Sequence, residues 1–196
     1  MAEAPAPAPT PIPVEPPVIT PIQPPQANQL AWARFSWTPA FEADNFIQTF
    51  NEATAAGLRQ LGGTTAYTLF QTSGTAATAL PSEAVVDFRL AQAAAHLTPA
   101  ARWEKAETVA VLGGNLQIDF SRALFQTALA LQSTSLGFQS MSANGQILDT
   151  GAFKSTGGDT TYFYGTLTTD KQEAGYTFTK NLPTGATVNG VTLWGR

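Results

Sequence analysis

Ten of the fourteen prolines of this 196-residue chain stand between positions 5 and 25, and they decide where folding can begin. Proline lacks a backbone N–H and holds φ near one value, so a stretch alternating Pro with Ala, Val, Ile and Thr supports neither a helix nor a central strand. Residues 1–27 are therefore read as a disordered Pro-rich linker of polyproline II character, with a reach of roughly 75 Å at about 3.1 Å per residue. Residues 28–196 remain as one domain, long enough to bury a core of its own.

Past the linker the grammar changes to short segments rich in β-branched and aromatic residues, separated by glycine and asparagine. The alternation of Leu30, Trp32 and Arg34 with Ala31, Ala33, Phe35 and Trp37 predicts a first strand that stops at Thr38-Pro39. Between 41 and 61 the spacing of Phe46, Ile47, Phe50, Ala53 and Leu58 predicts a short helix or irregular loop, closed by Gly62-Gly63 and packed as a plug against the sheet. Further strands are predicted at 65–71, 84–91, 107–112, 116–120, 124–132, 137–142, 146–153, 161–167, 174–179 and 187–194. Asn144-Gly145 is the strongest hairpin signal, since both residues tolerate the positive φ of a type I′ turn. Gly113-Gly114 reads as a bulge or corner, and Ser121-Arg122 as a hairpin corner. Strands at this spacing predict an all-β fold: an antiparallel barrel of about eight strands with a helix-containing loop.

Alternation also assigns faces. Tyr162 and Tyr164 share one side of their strand while Phe163, Gly165 and Leu167 share the other, so aromatics occur on both faces. One set is core; the other meets the plug or lies exposed as a docking surface.

Composition narrows the function classes. Only 12% of residues are charged, against about 25% in ordinary soluble domains, so the surface is wetted by Thr, Ser, Gln and Asn. With a net charge of -4 and no Lys/Arg cluster, nothing neutralises phosphates, which excludes nucleic acid as a partner. No run of apolar residues is long enough for a transmembrane helix. Zero cysteines exclude disulfides, thiolate metal sites and a cysteine nucleophile. Met1-Ala2-Glu3-Ala4 begins no signal peptide, so the chain is read as a fragment of a longer protein of the bacterial periplasm, cell surface or secreted fraction.

Chemistry is sparsely provided for. His96 is the one histidine, no Gly-x-Ser-x-Gly elbow accompanies it, and it is read as a surface or loop residue at a strand end. Asp159, Asp170 and Glu173 lack the spacing of a calcium loop and read as solvated turn residues. Asp87 and Asp119 share a strand context, and they are the one pair to which two-carboxylate glycosidase chemistry can be assigned; the alternative is two outward polar residues. No phosphate-cradling loop and no cofactor signature occurs.

The cadence of Gly151-Ala152-Phe153, Thr161-Tyr162-Phe163-Tyr164-Gly165-Thr166-Leu167, Glu173-Ala174-Gly175-Tyr176-Thr177-Phe178 and Gly190-Val191-Thr192-Leu193-Trp194-Gly195, together with Ile118-Asp119-Phe120, resembles the C-terminal β domain that follows a Pro-rich linker in bacterial FecR-domain proteins. More distantly it is similar to the eight-stranded barrels of transferrin-binding-protein-like surface lipoproteins. The resemblance implies an envelope-associated, non-enzymatic module that binds or senses, joined by residues 1–27 to an upstream domain. The chain departs from the lipoproteins in lacking a lipobox cysteine, and no binding residues carry over.

Four readings follow. The first is a non-enzymatic interaction module for a protein or a surface polymer. The second is a lipocalin-like carrier whose cavity is lined by Trp32, Phe35, Tyr162 and Tyr176. The third, an outer-membrane barrel, is disfavoured by alternation too short for a membrane strand. The fourth is a glycan-active enzyme built on Asp87 and Asp119.

Overall fold

The computed structural model describes residues 29–34, 48–64, 66–71, 85–101, 105–155 and 160–196. The linker at 1–27, and the readings placed on Phe35, Trp37, Phe46, Ile47 and Asp159, lie outside the described residues. In chain order the elements are β1 (Leu30–Arg34), β2 (Gln48–Thr49), α1 (Phe50–Ala55), β3 (Arg59–Gly63), β4 (Tyr67–Gln71), β5 (Val85–Thr98), β6 (Glu107–Thr108), β7 (Ala110–Asp119), β8 (Leu124–Ser133), β9 (Gly137–Ile147), β10 (Ala152–Ser155), β11 (Thr161–Leu167), β12 (Glu173–Asn181) and β13 (Thr187–Gly195).

Strands β5, β7, β8, β9, β10, β11, β12 and β13 pair antiparallel in that order, and β13 returns to β5, so the wall is a closed eight-stranded barrel; β6 prolongs β7 along β5. Closure leaves no free sheet edge around the ring. Alternation sets what faces in: along β8, Phe125, Thr127, Leu129 and Leu131 are buried while Leu124, Gln126 and Gln132 are exposed. The outer wall carries Asp87, Arg89, Gln126, Asn144, Gln146 and Lys154, all exposed. With Val85, Leu124, Phe138 and Tyr162 also exposed, the described wall is a mixed surface rather than the continuous apolar band of a lipid-facing one.

The lumen is filled by rings. Phe125 and Phe153 lie 4.8 Å apart, Phe163 and Tyr176 5.3 Å, and Tyr176 stacks on Trp194 at 5.7 Å. So many aromatics fit because glycines face them: a Cβ at Gly145 would strike Phe125, at Gly165 Phe153, and at Gly190 Phe178. A strand glycine here makes space for a ring rather than a bend. At the centre, the Thr127 hydroxyl donates to the Asn115 carbonyl at 2.8 Å, leaving its oxygen to accept from the Tyr176 hydroxyl at 2.8 Å. Trp194 Nε1 donates to Thr192 Oγ1 at 2.7 Å. The buried polar atoms of the lumen are thus paired, as burial requires.

Several expectations shift. Asn144-Gly145 is not a hairpin turn: both lie within β9. Gly145 is there for the Phe125 ring, not for positive φ. The turn falls four residues later, where Gly151 takes φ 83° and donates to the Leu148 carbonyl, so the strand expected at 146–153 is split between β9 and β10. The segments 107–112 and 116–120 run almost continuously as β6 and β7, with the predicted bulge between Val111 and Gly113. The Ser121-Arg122 corner is present, turned by Ala123 at φ 53°.

The N-terminal segment packs against the barrel wall as expected and holds the short helix α1, but it is built chiefly of strands. It forms a second, four-stranded sheet, ordered β2-β1-β4-β3, that lies on the outside of the barrel. Leu30, Trp32, Tyr67 and Leu69 on its inner face pack on Val191 and Leu193 of β13, and Gly175 of β12 lets Leu30 and Leu69 approach the wall. Its outer face buries Ala33 and Phe70 under Ala53 of α1. Gly62-Gly63, expected to end a helix, instead sit in β3. One reason is local and one distant: Thr64 turns the chain, accepting the N–H groups of Ala66 and Tyr67 at 3.2 and 3.1 Å, while the Tyr164 ring occupies the space a side chain at 62 would need.

Candidate functional site

The two ends of the barrel differ in what they hold. At one end, the β11–β12 turn grips the start of the domain. Glu173 Oε2 accepts the backbone N–H groups of Gln29 at 2.9 Å and Leu30 at 3.1 Å, and Asp170 Oδ2 accepts Gln29 Nε2 at 2.6 Å. Thr168 stiffens the turn, its hydroxyl donating to Asp170 Oδ1 and accepting the Glu173 N–H. Burial pushes the Glu173 carboxyl above its ordinary range despite its two donors. Burial likewise lowers the Lys171 ammonium, which sits at φ 61° in the same turn. Arg196 donates its N–H to the Gln172 carbonyl, so residues 29 and 196 meet at this end. Glu173 is therefore not the solvated turn residue expected from sequence but a buried clamp.

The opposite end is a mouth lined by residues 99–101 after β5 and by the β8–β9 and β12–β13 connections. A cavity of about 780 Å³ opens there, with Leu97, Leu136, Leu182 and Ala186 as floor and Glu107 and Gln139 among its rim. Leu136 and Leu182 rest on the lumen core. Both are apolar residues standing in turns, and the Leu182 turn is closed by Gly185 at φ 83° donating to the Leu182 carbonyl. Glu107 is held by the β8–β9 hairpin: the Ser135 hydroxyl, then the Ser135 N–H at 3.1 Å and the Ser133 hydroxyl, keep its carboxyl below the usual range. Glu107 is therefore a fixed carboxylate at neutral pH, with Lys105 in the same lining. Barrel mouths are a favoured place for ligands.

The residues singled out from sequence fall elsewhere. His96 is not at a strand end on the surface; it lies within β5, only 3% exposed, because the outer sheet covers it. Its Nδ1 is 3.2 Å from the Tyr67 hydroxyl, and Asn189 and Thr108 flank it in register. Asp87 and Asp119 sit on the outer wall, one pair out of register, and face no deep cleft. Asp87 accepts Gln117 Nε2 at 2.8 Å. Asp119 closes the 119–122 turn by accepting the Ser121 hydroxyl at 2.6 Å and the Arg122 N–H at 3.0 Å, and these bonds hold its carboxyl low. A general acid requires the opposite shift.

The aromatics assigned to one cavity are dispersed: Trp32 lies between the outer sheet and the barrel, Tyr176 in the lumen, and Tyr162 on the outer wall, 58% exposed. The mouth went unread in the sequence, where its signal was limited to Pro99, Pro183 and the two leucines in turns.

No protein-family model matches the chain, and no curated protein matches it. Among solved structures, it is similar to a double mutant of transferrin binding protein B from Haemophilus parasuis, with a TM-score of 0.46 and 10% identity over 66% of this chain and 28% of that one. The chain thus spans little more than a quarter of that protein's length. It is also similar to a bovine odorant binding protein, with a TM-score of 0.34 and 10% identity over 64% of this chain and 76% of that one. Aphrodisin, a pheromone from the female hamster, gives 0.31 and 8% over 58% and 75%. These comparisons add nothing to the FecR-domain resemblance.

Proposed function

We propose that this protein is a non-enzymatic binding module that meets its partner at the barrel mouth. The observation that carries the reading is polarity along the barrel axis. The chain leaves the linker at Gln29, held by Glu173 at the start of β12, and the mouth lies past Asn181 at the end of the same strand. Nine residues of strand place roughly 25 to 30 Å between them. A linker over 1–27 attached at the clamped end presents the mouth outward. The domain at 28–196, the bacterial envelope or secreted setting, and a protein or surface polymer as partner belong to this reading; the proline head and the sparse charge support them.

The test is capture from envelope extract of the source cell by the immobilised full chain, comparing Leu136→Arg at the mouth with Leu148→Arg at the far end. Loss with the first and retention with the second is the expected result. Equal capture by both would overturn the mouth as the contact.

A second reading, a carrier of small apolar ligands, is favoured by the continuity of Leu136 and Leu182 with the lumen core. It predicts that N-phenyl-1-naphthylamine gains fluorescence on the wild type and not on Leu182→Arg. No gain on the wild type removes it.

A further inference from the structure

The outer wall carries a second polar groove that the mouth reading leaves unused. Asp87, Gln117, Gln126 and Asn144 lie directly opposite one another across β5, β7, β8 and β9, and the next rung is Val85, Asp119, Leu124 and Gln146. Gln117, Gln126 and Asn144 with the whole of the second rung line a groove of about 380 Å³, and Asp87 stands outside its lining. Its amides are oriented by a chain of bonds. Asp87 can only accept, so Gln117 turns its Nε2 toward it at 2.8 Å and offers Oε1 to Gln126 Nε2 at 2.6 Å. Gln126 keeps its carbonyl oxygen and its second N–H for a ligand, and Asn144 and Gln146 bring complete amides to the same groove. Val85 and Leu124 stand beside them, 53% and 40% exposed.

The chemistry of that surface selects its ligand. Amides pair a donor with an acceptor a short distance apart, which matches the vicinal hydroxyls of a sugar. Two exposed aliphatic side chains suit the C–H face of the same ring. The two charges in the groove lining offset each other, Arg122 lying 3.9 Å from Asp119, and Asp87, outside the lining, is bonded to Gln117, so neither an anion nor a cation is favoured. An extended peptide would seek backbone partners, yet β7 and β8 are already laddered on both sides through this region. We infer that the outer groove over β7, β8 and β9 is a binding site for uncharged saccharide units of a neutral glycan, separate from the mouth.

The test is a ¹⁵N NMR titration of the full chain with maltotetraose, cellotetraose and tetra-N-acetylchitotetraose, and with tetragalacturonate as an anionic comparator. The side-chain NH₂ signals of Gln126, Asn144 and Gln146 should shift for at least one neutral oligomer, with Kd on the order of 1 mM, ordinary for an open site. Gln126→Ala should weaken that binding about tenfold, the equivalent of ~1.4 kcal/mol. Gln132→Ala, on the same strand face beyond the groove, should leave it unchanged. Because Gln126 is exposed, its removal does not threaten the fold, and the unshifted lumen signals of Trp194 report that directly. Tighter binding of tetragalacturonate, undiminished binding by Gln126→Ala, or no shift at these amides with any neutral oligomer would each overturn the site.

Discussion

The lumen of the barrel and the interface under the outer sheet are both apolar, yet they are held together by different means. In the lumen, backbone ladders close a ring around the core, and rings, facing glycines and a paired polar chain from Asn115 to Trp194 interlock inside it. Among the described residues the outer sheet shares no strand pairing with the barrel. It adheres through Leu30, Trp32, Tyr67 and Leu69, and through side-chain hydrogen bonds such as Tyr164 to the Leu61 carbonyl and Glu173 to Gln29 and Leu30. A closed ladder opens as a unit, whereas a sheet docked by side chains can open by itself.

The largest effect should come from the ring stack. Trp194 is fully buried, stacks on Tyr176 and fills the space left by Gly114. Trp194→Ala should cost about 3 to 5 kcal/mol, read from the urea midpoint, and should lower hydrogen-exchange protection in both regions together. Loss confined to the outer sheet would break the comparison.

Next is Leu69→Ala, which should cost about 2 kcal/mol, the low end of the range for a buried leucine, because the site lies in a thin interface. Amides of β1, β3 and β4 should lose protection while those of β7, β8 and β9 keep theirs. Equal loss everywhere would show one cooperative unit instead.

The same contrast explains what the sequence made legible. Period-two alternation located β8, β11, β12 and β13 nearly to the residue, because one face of each meets a core. Asn144-Gly145 reads locally as a turn, so Gly145, facing Phe125 from the neighbouring strand, was misplaced: a pair brought together by register leaves no local trace. The outer sheet was half read. β1 and β4 alternate, but Arg59–Gly63 becomes a strand through Tyr164, more than a hundred residues away. The mouth was missed for the same reason, since three separated turns make it.

Within the lumen the polar chain offers a finer test. Tyr176→Phe removes one hydrogen bond while keeping the ring, so it should cost about 1 kcal/mol, well short of the tryptophan deletion. Burial also raises the Tyr176 phenol far above its ordinary range, so in an alkaline titration Tyr176 should stay protonated until the fold opens, and Tyr176→Phe should leave the early part of the titration unchanged. A larger loss than Trp194→Ala would mean that hydrogen bonding, not ring packing, dominates the core.

The smallest effect is at the clamp, where sign matters more than size. Glu173 has a folded pKa raised above its unfolded value of 4.5, chiefly by burial, so the folded state binds this proton more tightly. Its contribution to stability is complete below pH 4.5 and is lost as pH rises through the folded pKa. Glu107, Asp119 and Asp170 have lowered values, so their contributions stand at neutral pH and vanish as pH falls through their folded pKa values, below 4.5 for Glu107 and below 3.8 for the aspartates. Stability should thus rise as pH falls from 7 toward 4.5 and then decline. Glu173→Gln keeps an oxygen for the N–H groups of Gln29 and Leu30 without the buried charge, so it should raise Tm at pH 7 by about 2 °C and abolish the upper limb of the profile. A lower Tm for Glu173→Gln at pH 7 would mean that the two charge-assisted bonds outweigh the cost of burial, and the outer sheet would then be held at its origin by electrostatics rather than by packing alone.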